Sequence, residues 1–432
     1  MNNINQLLMQ AQLARDAADW SSLILYLQQL TLKANSKNPE IEQNREQWLE
    51  LAMAILEQGD FQQRWEITKV FTQLGNIAIA PLIAILEDED AEEEVRWYAA
   101  RILGEFQQPD TIASLVQLLK TSDNQELKLM TATALGQMDT LAIAEITELL
   151  AEESTRLLAV RSLAYIRRKE TIAPLLTVVE DTQPTVRLAA IEALSSFHDE
   201  RIPPVLLKAL DDFSTSVRLA AVQGLASRAD LCQTLDLVTQ LQPKLHDLSE
   251  DVACAAAIAL SRMGSDKAAD CLFPVLLSPY SSLKLQLEII RALSWLETAT
   301  GLKYLQQAFV QIKSERLWQE IVTVLGRVQK PQLTALATEI LLEILQSQHP
   351  AKEIAHIKSA IALALGQLGN IQAIEPLILL LADSEPAVRL HAIAALKNLA
   401  PESAHQQLQQ LANNTAIASD LQTGVAIALA EW

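Results

Sequence analysis

The sequence predicts an all-α protein, a right-handed α-solenoid of stacked helix pairs, and three observations predict it. First, a signature recurs: Val186 to Ser196 reads VRLAAIEALSS, Val217 to Ser227 reads VRLAAVQGLAS, and Val388 to Asn398 reads VRLHAIAALKN. With the Arg as anchor and Leu or its equivalent seven residues later, matching positions fall at Arg64, Arg96, Lys128, Arg156, Arg187, Arg218, Ala253, Gln286, Trp318, Lys358, Arg389 and Gln422. Their mean step is about 32 residues, inside the range of solenoid repeats. Second, half of the residues are hydrophobic yet only 4% are aromatic, and Ala and Leu outnumber the 11 Gly and 15 Pro. Small and unbranched side chains favour closely packed helix pairs. Third, 432 residues exceed what one core usually organises. A repeat array escapes that limit because each unit contacts only its neighbours.

Residues 1–60 fit the repeat poorly and read as an atypical helical cap. Its helices are expected near Asn5–Ala17, Ser21–Ala34 and Glu42–Gln58, with Asp19 or Ser21 capping the second and Gly59-Asp60 ending the third. Trp20 and Trp48 supply bulk to close an exposed end. About eleven repeats are expected over 61–419, and the stretch 420–432 is half a repeat, as a terminal cap would be. Each repeat has an outer half such as Ile172–Glu180, with a proline placed early (Pro81, Pro174, Pro203, Pro274, Pro376), where the first helical turn has no use for its N–H. The other half is the anchor helix. There an apolar residue at −1, Ala at +3 and +6, and Leu at +7 form one stripe at helical spacing.

An acidic residue recurs six positions before the anchor: Asp90, Asp181, Asp212, Asp247 and Asp383. Each is expected in the turn before the anchor helix, bonded to the Arg of its own or the preceding unit, so that the pairs set register between repeats. The anchors lose their basic residue at Ala253, Gln286 and Trp318, and the step lengthens to Lys358, which predicts an extra loop near Gln346–Ile354.

The unit D-x-x-x-x-V-R-x-x-A-A-x-x-A-L, followed by a short turn and A/I-x-P-L-I, resembles the HEAT-like repeat of the bilin-lyase type, an armadillo-type fold. The likeness runs from Phe61 to about Ala430. It implies a photosynthetic bacterium, most simply a cyanobacterium. It further implies a scaffold or assembly factor whose partner is either an A-type iron–sulfur assembly carrier or a phycobiliprotein subunit. An actual bilin lyase of the E/F type is the enzymatic alternative.

The formal net charge of −19 argues against general nucleic-acid binding, which needs a basic surface. The amino terminus lacks a secretory pattern and no run of eighteen apolar residues occurs, so a cytoplasmic protein without a membrane span is expected. Three cysteines, Cys232, Cys254 and Cys271, form no paired motif. No phosphate-cradling loop, HExxH or GxSxG is present, so neither a cofactor nor a metal is expected. His349 and His356 are expected in a solvated loop, and the glycines read as scattered, mostly in turns. Cys254 is either a small buried thiol or a cluster or thiol-transfer contact.

The position after the anchor carries the functional expectation. It reads Trp65, Trp97, Leu129, Leu157, Leu188, Leu219, Cys254 and Leu287, with Val160, Ile191, Val222, Ile290, Val322 and Ile393 added at +4. Position +5 interleaves Lys69, Arg101, Arg161 and Arg291. An apolar row flanked by isolated cations suits a concave protein-binding groove for an amphipathic or acidic-edged partner, with Trp65 and Trp97 as its anchors. The alternative is that neighbouring anchor helices bury the row against each other. The acidic runs at Glu87–Asp90 and Glu92–Glu94 are either solvated turns or a surface that steers a basic partner.

Overall fold

The structure, a computed structural model, describes residues 4–34, 43–414 and 416–432. Every regular element among them is helical. They form two compact units, Met1–Ile202 and Pro203–Trp432.

All twelve anchor positions are the fourth residue of a helix. In the first unit these helices are Phe61–Leu74, Glu93–Leu103, Gln125–Gln137, Glu153–Ile166 and Pro184–Ser195. In the second they are Thr215–Ala226, Glu250–Arg262, Leu283–Trp295, Glu315–Gly326, Ala355–Leu368, Pro386–Leu399 and Ser419–Ala430. Within the first unit the five pack in succession, and within the second so do the helices from Thr215–Ala226 to Pro386–Leu399. Each therefore has a neighbour on both flanks, apart from those at the ends.

That arrangement explains the burial. Position +3 is fully buried in all twelve, whether it is Ala (Ala99, Ala190, Ala221), Ile (Ile67, Ile289, Ile321) or Thr131. Leu at +7 is equally buried, from Leu103 to Leu396, and each such side chain contributes about 2 kcal/mol. Position +4 corrects the sequence reading. Val160, Ile191, Val222, Ile290, Val322 and Ile393 are core residues, because two flanking helices cover a wider arc than one partner would. Glycines are also less scattered than they read. Gly104, Gly136, Gly326 and Gly366 share position +8; a Cβ on Gly366 would lie 2.8 Å from Ala395 of the next anchor helix.

Several outer halves begin with a tight 3-10 turn and continue as a short helix, as in Lys169–Thr171 with Ile172–Leu176 or Ile371–Ala373 with Ile374–Leu379, while others, such as Pro109–Thr121 and Ala299–Gln311, are one longer helix. Pro81, Pro174 and Pro376 are each the third residue of their helix. Pro274 departs from this: Ser265 caps one continuous helix, Asp266–Leu277, and the proline falls in its interior.

In the cap region the helices are Ile4–Asp16, Trp20–Ala34 and Arg45–Gln58. Asp19 accepts the Ser22 N–H at 3.1 Å, which is the expected cap. Trp48 is buried; the expected helix start at Glu42 lies outside the described residues. Asp60 and Gln63 close a reciprocal capping box on the first anchor helix. The stretch Phe61–Glu87 is long and apolar enough by composition to cross a membrane. It is not one rod: Gly75, at φ 67, ends the first helix, and Ile67, Phe71, Leu82 and Leu86 are spent on the repeat core.

Candidate functional site

The basic anchors build a ladder between repeats. Arg156 reaches Asp181 at 2.8 Å, and Arg218 grips both oxygens of Asp247 at 2.8 and 2.7 Å. Lys358 pairs with Asp383 in the same way. Each cation thus bonds the carboxylate of the following turn. The carboxylate in turn accepts a backbone N–H two residues on, Gln183 for Asp181 and Ser249 for Asp247. At the first step Arg64 uses Glu92 and Glu94, at 2.8 and 3.0 Å, where Asp90 was expected. The acid-rich turn there supplies carboxylates at the N-cap and at the second residue of the anchor helix, two and four positions after Asp90. The side chains of Arg218 and Asp247 are 13% and 6% exposed, so this pair is shielded. The Arg218 hydrogen bond, ahead of the penalty of burial, holds the Asp247 carboxyl below its ordinary range.

The row after the anchor is partly open in the first unit. Trp65 is 41% and Leu129 48% exposed, while Trp97, Leu157 and Leu188 are half-buried. Trp97 packs edge-on to Tyr98, with ring centroids 5.0 Å apart, and the Tyr98 hydroxyl donates to Phe61 O at 2.9 Å. The guanidinium of Arg101 lies 3.9 Å from the centroid of the Trp65 ring. Cation and indole therefore form one composite surface, polar at its rim and flat at its centre. Lys69, on the helix of Trp65, and Arg161, on Glu153–Ile166, are both exposed.

In the second unit the same positions diverge. Leu219 is half-buried, Cys254 and Leu287 are buried, and Leu390 is exposed. Arg291 is tied to Glu320 at 2.7 Å and to Glu288 at 3.5 Å. It forms one wall of a cavity of about 570 Å³ that Trp295, Arg327 and Lys330 also line. The sequence-derived row is thus two surfaces, an open one in the first unit and an ion-paired one in the second.

The cysteines are free thiols. Burial pushes the Cys254 and Cys271 thiols up, away from the thiolate that metal binding or exchange requires. No group of three or more His, Cys, Asp or Glu side chains able to hold a metal ion occurs among the described residues. His349 is not in a solvated loop. Its ring packs against Phe309 and Trp318 at 4.9 and 4.8 Å, and its Nδ1 accepts the Ala351 N–H at 3.2 Å. The extra residues form an ordered turn, Pro350–Glu353, pinned by fully buried Ala351.

A family model described as HEAT repeats matches residues 79–157, 143–226, 203–284 and 338–430, more than half of the sequence. The chain belongs to the HEAT-repeat family. The unmatched interval 285–337 is where the anchors become Gln286 and Trp318. No curated protein matches the sequence. Among solved structures, this HEAT-repeat chain resembles one described as Kap121p bound to RanGTP, with 16% identity and a TM-score of 0.60 over 91% of this chain and 49% of that one. It also resembles the Kap95:Nup1 complex, at 14% identity and a TM-score of 0.60 over 88% and 60%. The HEAT-repeat chain spans about half to three-fifths of their length. At such identities the likeness shows the fold, an α-solenoid like that of the karyopherins.

Proposed function

We propose that this HEAT-repeat protein is a non-catalytic, cytoplasmic protein-binding scaffold. The docking surface is the anchor-helix row of the first unit, taken as the concave face: Trp65, Trp97, Leu129, Leu157 and Leu188, with Arg101 and Arg161 at its edge. The observation that carries the reading is the Arg101–Trp65 stack beside exposed Leu129, a large apolar surface with its own cation that the core does not use. An acidic-edged amphipathic segment meets both requirements. Three free cysteines suit a reducing compartment. The karyopherin-fold neighbours bear protein partners, Nup1 in one case and RanGTP in another.

The repeat type adds two partner classes to the proposal, an iron–sulfur assembly carrier and a phycobiliprotein subunit. Cross-linking pull-down from native lysate, with wild type beside a Trp65→Ala/Trp97→Ala double variant, tests the surface and the class together. Truncating a buried Trp anchor typically costs about 2 kcal/mol or more, roughly 30-fold in affinity. The partner is therefore expected to vanish from the variant while helicity, read by circular dichroism, is retained. Equal capture by both proteins removes the proposed surface. An absorbance change with free bilin, followed by transfer to an apo-subunit, moves the protein to the lyases.

A further inference from the structure

Three consecutive turns of the second unit push a large apolar side chain fully into solvent. Phe213 is 102%, Leu248 103% and Tyr280 96% exposed. All three sit just before anchor helices, Thr215–Ala226, Glu250–Arg262 and Leu283–Trp295, which pack in succession. In other repeats the corresponding turn carries Thr182, Lys313 or Ser384. Phe213 and Leu248 lie five residues before their anchors and Tyr280 six before Gln286; single exposed apolar residues are ordinary on protein surfaces, but one in each of three successive turns is not. The core does not call for these side chains. The turns are held by backbone N–H groups donating to side-chain oxygens two residues back, Ser214 to Asp212 Oδ1 and Ser249 to Asp247 Oδ1 at 2.8 and 2.9 Å, and Tyr280 to Ser278 Oγ at 3.3 Å. Leu248 and Tyr280 also line a shared cavity of about 280 Å³, and Leu283 beside it is 41% exposed.

Spacing and charge identify the occupant. Packed helices stand about 8–10 Å apart, so the row steps by about that distance. A helix laid along it advances about 10.5 Å in seven residues and returns the same face to each step. An extended strand covers the distance in about three residues, which turns successive contacts to opposite sides. The outward carboxylates of these turns and of the helix starts they feed are Asp211 (84% exposed), Asp251 (68%) and Glu250 (44%), against Lys284 (57%). Lys244 and Arg218, each only 13% exposed, pair with Asp211 and Asp247 at 2.8 and 2.7 Å and add little positive surface. We propose that this edge docks a cationic amphipathic helix, apolar at i, i+7 and i+14 and flanked by Lys or Arg. The site is separate from the row of Trp65 and Trp97.

The test uses the full chain and a fluorescein-labelled three-heptad peptide with Leu at the heptad positions and Lys beside them, read by anisotropy. A second peptide carries Glu for Lys. The protein variants are a Phe213→Ser/Leu248→Ser/Tyr280→Ser triple, which touches only exposed side chains, and the Trp65→Ala/Trp97→Ala double. Wild type is expected to bind the Lys peptide, more weakly as salt rises, with the triple variant weaker by about tenfold or more and the Trp double unchanged. Failure of wild type to bind, equal binding by the triple variant, or equal binding of the Glu peptide overturns the proposal. So does co-sedimentation of wild type with phosphatidylserine vesicles that is lost in the triple variant while peptide binding is not, since the row is then a membrane-contacting edge.

Discussion

Arg218→Ala tests the inter-repeat ladder at its most shielded rung. The guanidinium donates to both oxygens of Asp247 at 2.8 and 2.7 Å, and to the carbonyls of Asp212 and Phe213 at 2.9 and 3.2 Å. Removing one partner of a buried pair costs about 3–5 kcal/mol, since the other charge is left without compensation. Asp247 keeps the Ser249 N–H, which puts the expected loss near the lower end, about 3 kcal/mol. Asp247→Asn keeps one acceptor oxygen but turns an amide donor toward the other Arg218 N–H and removes the counter-charge, so a loss of about 2–3 kcal/mol is expected. The two changes share one interaction, so the double variant should lose less than their sum by about 1–2 kcal/mol. Acid gives a second handle. The folded Asp247 carboxyl lies below its unfolded value, so its stabilisation is complete above about pH 3.9 and is lost as pH falls through the folded value. Repeat arrays open locally, so hydrogen exchange over Thr215–Ala226 and Glu250–Arg262 at neutral pH is the appropriate assay, with urea unfolding beside it. A loss under about 0.5 kcal/mol with unchanged protection would refute the ladder as a stabilising element.

Two further outcomes follow from the packing. Gly366→Ala gains helix propensity but places a methyl 2.8 Å from Cα and Cβ of Ala395; a net loss of about 1–2 kcal/mol is expected in thermal unfolding, against a gain or no change for the exposed control Gln367→Ala. Burial holds the His349 imidazole below its ordinary pKa, and its Nδ1 must be unprotonated to accept from Ala351. The unfolded chain therefore takes up this proton at higher pH than the folded one does. Stability should fall as pH drops from about 6.5 through the folded value, by up to about 1.4 kcal/mol per unit, and the urea midpoints of His349→Gln at pH 7.5 and pH 5 should differ less than those of wild type.

The repeat was legible because its determinants are local: one donor and one stripe at fixed offsets from a helix start place all twelve anchors on the fourth residue of a helix. The open surface was legible only in part. Position +1 emerges partly exposed at Trp65 and Leu129, but whether +4 is surface or core depends on a second neighbour that a single repeat does not reveal, and Val160, Val222 and Ile393 fall inside. The Arg101 contact with Trp65 joins two repeats and depends on how they stack. The stripe pattern did not flag Phe213, Leu248 and Tyr280, since turn residues have no periodicity to violate. The +8 glycines could have been read, because their recurrence is as regular as that of the anchors.

The weak central signature has a physical cause. The anchor's recurring task is to donate an N–H to a carbonyl left open near the end of the outer helix, six residues upstream: Arg156 to Leu150, Arg187 to Asp181, Arg218 to Asp212 and Arg389 to Asp383. Trp318 does the same through its indole, donating to Ile312 O at 2.9 Å. Gln286 donates to Leu276 O at 3.0 Å, as Arg96 does ten residues upstream to Leu86 O. Charge is thus dispensable where a neutral donor reaches the carbonyl. Ala253 has no side-chain donor, and at its turn the preceding Arg218 holds both oxygens of Asp247, whereas Arg156 reaches only one oxygen of Asp181. Ala253 sends no rung to the following turn, where Tyr280 stands at the acid's position; those two repeats are tied instead by Lys284, whose ammonium donates to Asp251 at 2.6 Å, so an ion pair still joins them where the sequence motif lapses.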